Sequence, residues 1–271
     1  MAAVLEQIVA ARRRSVAQAK AAADPADLRR RAEGRVPSGF RRALESRSAS
    51  GEIAVIAELK KASPSRGIIR QDFNVPELAR GFERAGAAAL SVLTEEQYFQ
   101  GSLANLEAAS QAARLPCLRK DFIVDEFQVL EARACGASAI LLIVAALSAA
   151  ELARLRDAAK AHALDVLCEV HDAEELAIAL HLGFDVIGVN NRNLKTLDVD
   201  LGTALRLAAR IPQGAVKVAE SGIHTTEHLQ QLREAGYDAF LIGESLMKAP
   251  DPGQALRELL AATAQQPAPG R

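Results

Sequence analysis

From residue 53 onward the chain repeats one unit eight times: a short apolar run, a polar loop, a helical stretch and a turn containing glycine. The apolar runs fall at 53–58, 88–93, 116–120, 138–144, 165–170, 185–189, 215–219 and 238–242. Near-continuous Val, Ile, Leu and Ala is how a parallel strand covered on both faces reads. A helix begins at Val75-Pro76-Glu77, where Pro suits the first turn, and ends at Gly86. Further helical stretches follow at 103–114, 126–135, 149–162, 173–182, 201–211, 226–235 and 252–262. Gly86, Gly136, Gly183 and Gly236 each stand just before a strand, as a left-handed residue closing a helix should. Strict alternation of this kind predicts an α/β protein, a single (β/α)8 TIM barrel over residues 49–264.

Residues 1–48 precede the repeat as an N-terminal helical extension. Val4, Leu5, Ile8, Val9 and Val16 recur at helical spacing and predict a helix over 2–22, which Asp24-Pro25 breaks. A second short helix is expected around 38–46, and 265–271 are expected to be a disordered tail. The extension is basic, with Arg12-Arg13-Arg14 and Arg29-Arg30-Arg31. No aromatic residue accompanies them for base stacking, so a solvated face is expected rather than a polyanion site.

Overall charge is balanced, 33 basic against 34 acidic side chains, which argues against a dedicated nucleic-acid binder. The longest apolar run, 137–150, contains Ser138 and Ser148 and is too short to span a bilayer. The N-terminus turns basic without the apolar core of a signal peptide, so a cytoplasmic monomer with no membrane contact is expected. Cys117, Cys135 and Cys168 are isolated among apolar residues and are expected to be reduced core thiols, neither disulfides nor metal ligands.

Barrels of this class carry their chemistry at the C-terminal ends of the strands. Here those ends hold Glu58-Leu59-Lys60, Ser91 to Thr94, Arg119-Lys120-Asp121-Phe122, Glu169, Asn190-Asn191-Arg192-Asn193, Glu220-Ser221-Gly222 and Gly243-Glu244-Ser245. The fourth ends in Val144-Ala145-Ala146 and offers only apolar wall. Period-two alternation places Glu58 and Lys60 on one side of their strand. Ser221-Gly222 and Gly243-Glu244-Ser245 follow the seventh and eighth strands, where backbone amides and a short helix bind phosphate. A phosphorylated small molecule is the expected ligand. Phe99, Phe122, Leu142 and Ile143 are candidates for an apolar wall.

The segments AELKKASPSRG, SVLTEEQYFQGS, LRKDFIVDEFQV, LCEVHDAEEL, IGVNNRNLKTLDVD, VAESGI and FLIGESLMKAPDP occur in this order. Over residues 50–252 the chain thereby resembles indole-3-glycerol phosphate synthase of the tryptophan pathway. The resemblance implies conversion of 1-(2-carboxyphenylamino)-1-deoxyribulose 5-phosphate into indole-3-glycerol phosphate, CO2 and water, without metal or organic cofactor. It implies Lys120 as general acid, Glu169 as general base, and Glu58 with Lys60 as a charged pair in which Lys60 also meets the substrate carboxylate. Asn190, Arg192, Ser63 and Ser221 would orient substrate. Gly222, Gly243 and the Glu244 and Ser245 amides would hold the phosphate, with the Glu244 carboxylate turned away.

Burial or Lys60 would lower the Lys120 ammonium and Glu58 would raise it; the chain alone leaves this balance open, and with it which lysine donates each proton. Two other readings share part of this pattern. An aminoaldose-phosphate isomerase would need the phosphate loops but not the paired lysines, and a silent binding protein would need neither.

Overall fold

A computed structural model of the chain describes residues 4–194 and 196–264. The anticipated 265–271 tail lies outside them. Three helices, α1 (Val4–Ala22), α2 (Pro25–Glu33) and α3 (Phe40–Ala49), lead into the barrel. The strands are β1 (Ala54–Leu59), β2 (Ala89–Leu93), β3 (Cys117–Lys120), β4 (Ala139–Ile143), β5 (Asp165–Val170), β6 (Val186–Asn190), β7 (Val216–Glu220) and β8 (Ala239–Ile242). They pair in parallel in the order β1-β8-β7-β6-β5-β4-β3-β2, and β2 closes back on β1. Helices α4 (Val75–Ala85), α5 (Leu103–Ala112), α6 (Glu126–Ala134), α7 (Ala149–Ala161), α8 (Ala173–His181), α9 (Gly202–Ala208) and α10 (Thr226–Glu234) follow β1 to β7 in turn. After β8 come a short helix α11 (Glu244–Lys248), which the apolar pattern does not reveal, and α12 (Pro252–Ala264).

Alternation along each strand divides the core into two layers. Val55, Ala57 and Leu59 of β1 face the outer helices, whereas Ala54 and Ile56 face the barrel axis. The same phase puts Leu118, Leu141, Leu167, Val218 and Leu241 inside. Two residues further along, the inward positions become Lys120, Ile143, Glu169, Glu220 and Gly243. An apolar plug therefore fills the barrel up to a charged rim. Cys117 and Cys168 point outward into the helix layer, where burial pushes the Cys117 thiol up to about 12 and makes both inert nucleophiles.

The extension is used at both ends of the barrel. Phe40 and Leu44 of α3 are fully buried against Ala54, Ala88, Val186 and Val216 and stop the N-terminal mouth. The Arg41 amide donates to Asp165 at 2.9 Å and Ser48 to Asp238 at 3.0 Å, tying α3 to the strand starts. Helix α1 lies instead along the C-terminal rim: Arg12 pairs with Asp121 at 2.5 Å, Arg13 with Glu151 at 2.7 Å and Lys20 with Asp125 at 2.9 Å. Between them α2 runs down the flank, with Arg31 and Arg35 on Glu107. The break expected at Asp24-Pro25 is present, since α1 ends at Ala22, and it is at the same time the start of a helix the sequence reading did not foresee: Asp24 accepts from the Ala26 and Asp27 amides and Pro25 occupies the first turn. Arg13, Arg14, Arg29 and Arg30 form the exposed face that the sequence reading expects, Arg13 and Arg30 in surface ion pairs, whereas Arg12 and Arg31 are drawn into part-buried ones.

Candidate active site

Five charged side chains from the ends of four strands converge above the apolar plug. Lys120 Nζ donates to Glu169 Oε2 at 3.2 Å and lies 3.7 Å from Glu220 Oε2. Asn190 Nδ2 donates to Glu169 Oε1 at 3.1 Å, and Lys60 Nζ pairs with Glu58 Oε1 at 2.7 Å. Glu58, Glu169 and Glu220 are each at most 3% exposed. Burial alone would lower the Lys120 ammonium, but Glu169, Glu220 and Glu58 outweigh it and raise it above its ordinary value. The direction of the Lys120 shift, left open by the sequence, thus follows from the glutamates gathered around one cation. Burial drives Glu58 and Glu169 up, and the lysines reverse this, so both remain ionised. Glu220 goes the other way: burial and the nearby Glu169 charge push it well above the carboxylate range. The site thus holds two ionised glutamates and one that retains its proton, separated by environment.

These groups floor a cavity of ≈ 670 Å³. Phe99 and Phe122 form one wall, ring centroids 6.3 Å apart, with Leu93, Leu141, Ile143 and Leu194. Ile143 is where the sequence reading put it, but Leu142 is not: it faces the helix layer, and alternation brings Leu141 inward in its place. Ser63 sits in a small ribbon, Ala62–Ser63 with Gly67–Ile68, outside the cavity lining, its hydroxyl buried without a hydrogen-bond partner among the described residues. Asp121 lines the cavity, but its carboxylate is taken up by structure: it accepts from Thr94, Arg119, Arg12 and the Phe122 amide, fixing the backbone on either side of itself.

At the other end of the cavity lie Ser221, Gly222, Gly243, Glu244 and Ser245. Ser221 and Gly222 both have positive φ, 65° and 77°, a sharp turn that exposes successive amides. Ser245 Oγ donates to the Ile223 carbonyl at 3.3 Å, so its hydroxyl ties the two loops together. Arg66, Arg192 and Lys248 ring this end. The Glu244 carboxylate pairs with them, 2.6 Å from Lys248, 3.2 Å from Arg66 and 3.8 Å from Arg192. Gly243 has a second reason beside the one anticipated. A Cβ there would lie 2.4 Å from Glu58 Oε1 and 2.9 Å from Glu58 Cβ, so this glycine makes room for the β1 glutamate.

Sequence reasoning placed Glu220 at a strand end without giving it a role, and passed over Arg66, Lys248 and His171. Glu220 had a signal, since it continues the inward phase of Val216 and Val218. Arg66 had none, being defined by Glu244 on a distant loop, whereas His171 and Lys248 each stand four residues from a glutamate partner, Glu175 and Glu244.

Burying this much charge is costly unless something bound makes use of it. A closed barrel with that charge at its C-terminal rim, beside glycine turns after its last two strands, is an enzyme of the (β/α)8 class. The indole-3-glycerol phosphate synthase family model matches residues 5–259. Indole-3-glycerol phosphate synthase of Koribacter versatilis (strain Ellin345) is 58% identical over 260 residues, spanning 96% of this chain and 100% of that protein. Its counterpart in Aromatoleum aromaticum (strain DSM 19018 / LMG 30748 / EbN1) is 48% identical over 260 residues, 96% and 99%. The chain belongs to the indole-3-glycerol phosphate synthase family. The 3-hexulose-6-phosphate synthase of Salmonella typhimurium superposes with a TM-score of 0.64 at 13% identity, covering 79% of this chain and 99% of that one, a likeness of fold alone.

Proposed function

We infer that the chain is a decarboxylating lyase of tryptophan biosynthesis that closes the indole ring of 1-(2-carboxyphenylamino)-1-deoxyribulose 5-phosphate. The observation that carries this reading is Lys120 held between Glu169 and Glu220 at the base of a cavity with aromatic walls at one end and glycine turns at the other.

Ring closure makes the carboxyl-bearing aromatic carbon attack the ketone, and negative charge develops on the ketone oxygen. The Lys120 ammonium, kept charged by its carboxylate neighbours, can donate to that oxygen; an alkoxide is a far stronger base than an amine, so a raised Lys120 still gives up its proton. Loss of CO2 restores electrons to the ring. Dehydration then needs a proton on the departing hydroxyl and a base for the ring proton, and Glu169, ionised and oriented by Asn190, is the assigned base. Glu220 keeps a proton within reach of Lys120. Lys60, paired with Glu58 nearer the mouth, is placed to meet the substrate carboxylate.

Phe99 and Phe122 would hold the anthranilate ring, Arg192 and Ser221 the ribulose chain, and the amides of Gly222, Gly243, Glu244 and Ser245 the phosphate. Glu244 would swing from the rim cations as phosphate takes its place. Ser63 would reach substrate only by movement of its ribbon. The catalytic unit is assigned to 49–264, with 1–48 as its docked extension. Among the described residues no helix is long and apolar enough to cross a membrane. Three buried free thiols fit a reducing compartment, and a cytoplasmic monomer is proposed. Incubation with the carboxyphenylamino substrate tests the reading: indole fluorescence and CO2 should appear in equal amounts, and their absence would overturn it.

A further inference from the structure

Behind Glu169, on the side away from the cavity, stands a second charged device. His171 is two residues beyond Glu169 on the same side of the chain, and its Nε2 lies 3.2 Å from Glu169 Oε1. Its Nδ1 is 2.9 Å from Glu175 Oε2, on the first turn of α8, and the same oxygen accepts the His171 backbone N–H at 2.8 Å. Glu175 therefore clamps both the ring and the main chain. The ring is only 12% exposed and does not line the cavity, so it does not touch substrate.

We propose that His171, clamped by Glu175, is a positioning residue that fixes the Glu169 carboxylate against the backward side of the site. Glu169 receives Lys120 on one oxygen and Asn190 on the other, both from the reaction side. Among the described residues only His171 meets it from behind, its Nε2 3.2 Å from Oε1 but without an aligned hydrogen bond. That leaves a buried donor free to take up Glu169 Oε1 if the carboxylate rotates toward a ring proton. Burial would lower the imidazole, but Glu169 and Glu175 raise it to about 10, so both ring nitrogens carry protons at neutral pH. A ring needed for packing alone would not require two carboxylate partners.

This rests on Glu169 being the base, and the test separates the two claims. His171→Leu should lower kcat about tenfold, as loss of an orienting partner does, with KM within twofold. His171→Gln, which keeps a side-chain N–H, should recover part of the loss. In a Glu169→Gln background His171→Leu should cost less than twofold more, because its effect passes through Glu169. If His171→Leu does not fold, Glu175→Gln should lower kcat at least threefold and likewise lose its effect in that background. Unchanged kcat in the folded single variants, or an equal loss in both backgrounds, overturns the proposal. Full activity of Glu169→Gln alone overturns the base assignment instead.

Discussion

Gly243→Ala separates the two reasons for a glycine after β8. The new Cβ would sit 2.4 Å from Glu58 Oε1, where ordinary contact begins at 3.4 Å, so the carboxylate must retreat by roughly 1 Å. The Lys60 to Glu58 distance would then open from 2.7 Å to roughly 3.7 Å. At an effective dielectric of about 20 the pair weakens from about 6 to about 4.5 kcal/mol. An off-rotamer Glu58 adds about 1 kcal/mol, since its own Cβ is also crowded and cannot yield freely. A total of about 2–3 kcal/mol, felt in the transition state, corresponds to a roughly 30- to 160-fold fall in kcat. The assay is steady-state indole fluorescence with inorganic phosphate as competitive inhibitor. The expected result is a fall in kcat with phosphate inhibition within threefold of the parent. A tenfold loss of phosphate inhibition at near-normal kcat would refute the reasoning and return Gly243 to the phosphate alone.

Lys120→Ala should stay folded and bind substrate while kcat falls at least about 10²-fold; Lys120→Arg should not recover it, because a guanidinium cannot release a proton in the working range. Normal turnover in either variant would remove Lys120 from the mechanism. The two docked ends of the extension should respond differently. Phe40→Ala should cost about 3–5 kcal/mol and on the order of 10 °C in Tm with KM held, whereas Arg12→Ala, which loosens α1 from Asp121, should raise KM or lower kcat more than it lowers Tm. Equal patterns would argue against this division of labour. Glu220→Gln should stabilise the protein in a pH-dependent way. The folded-state value of Glu220 is raised, so its contribution is fully present below its unfolded value of about 4.3 and is lost as pH rises toward its folded value. The gain in Tm on substitution should therefore be small at pH 4 and grow as pH rises; a gain independent of pH would contradict the assignment.

The eight strands were legible because a strand covered on both faces must be apolar along its length, and helices must end where glycine permits a left-handed turn. Period-two alternation is equally local, and it foretold that Glu58 and Lys60 would meet. Ser148, Thr225 and other caps only sharpen such boundaries, though Asp24-Pro25 shows that a signal for starting a helix reads equally well as one for stopping it. Which ends of the barrel α1 and α3 would cover was not written in either helix, since an amphipathic face does not name its partner. Nor could the chain reveal that Glu58 on β1 fills the space beside Gly243 after β8, because barrel closure brings together residues from opposite ends of the fold. The direction of the Lys120 shift belongs to the tertiary structure for the same reason. Electrostatic potential at a buried site sums charges from four strands by distance, and distance across a barrel has no counterpart in sequence separation.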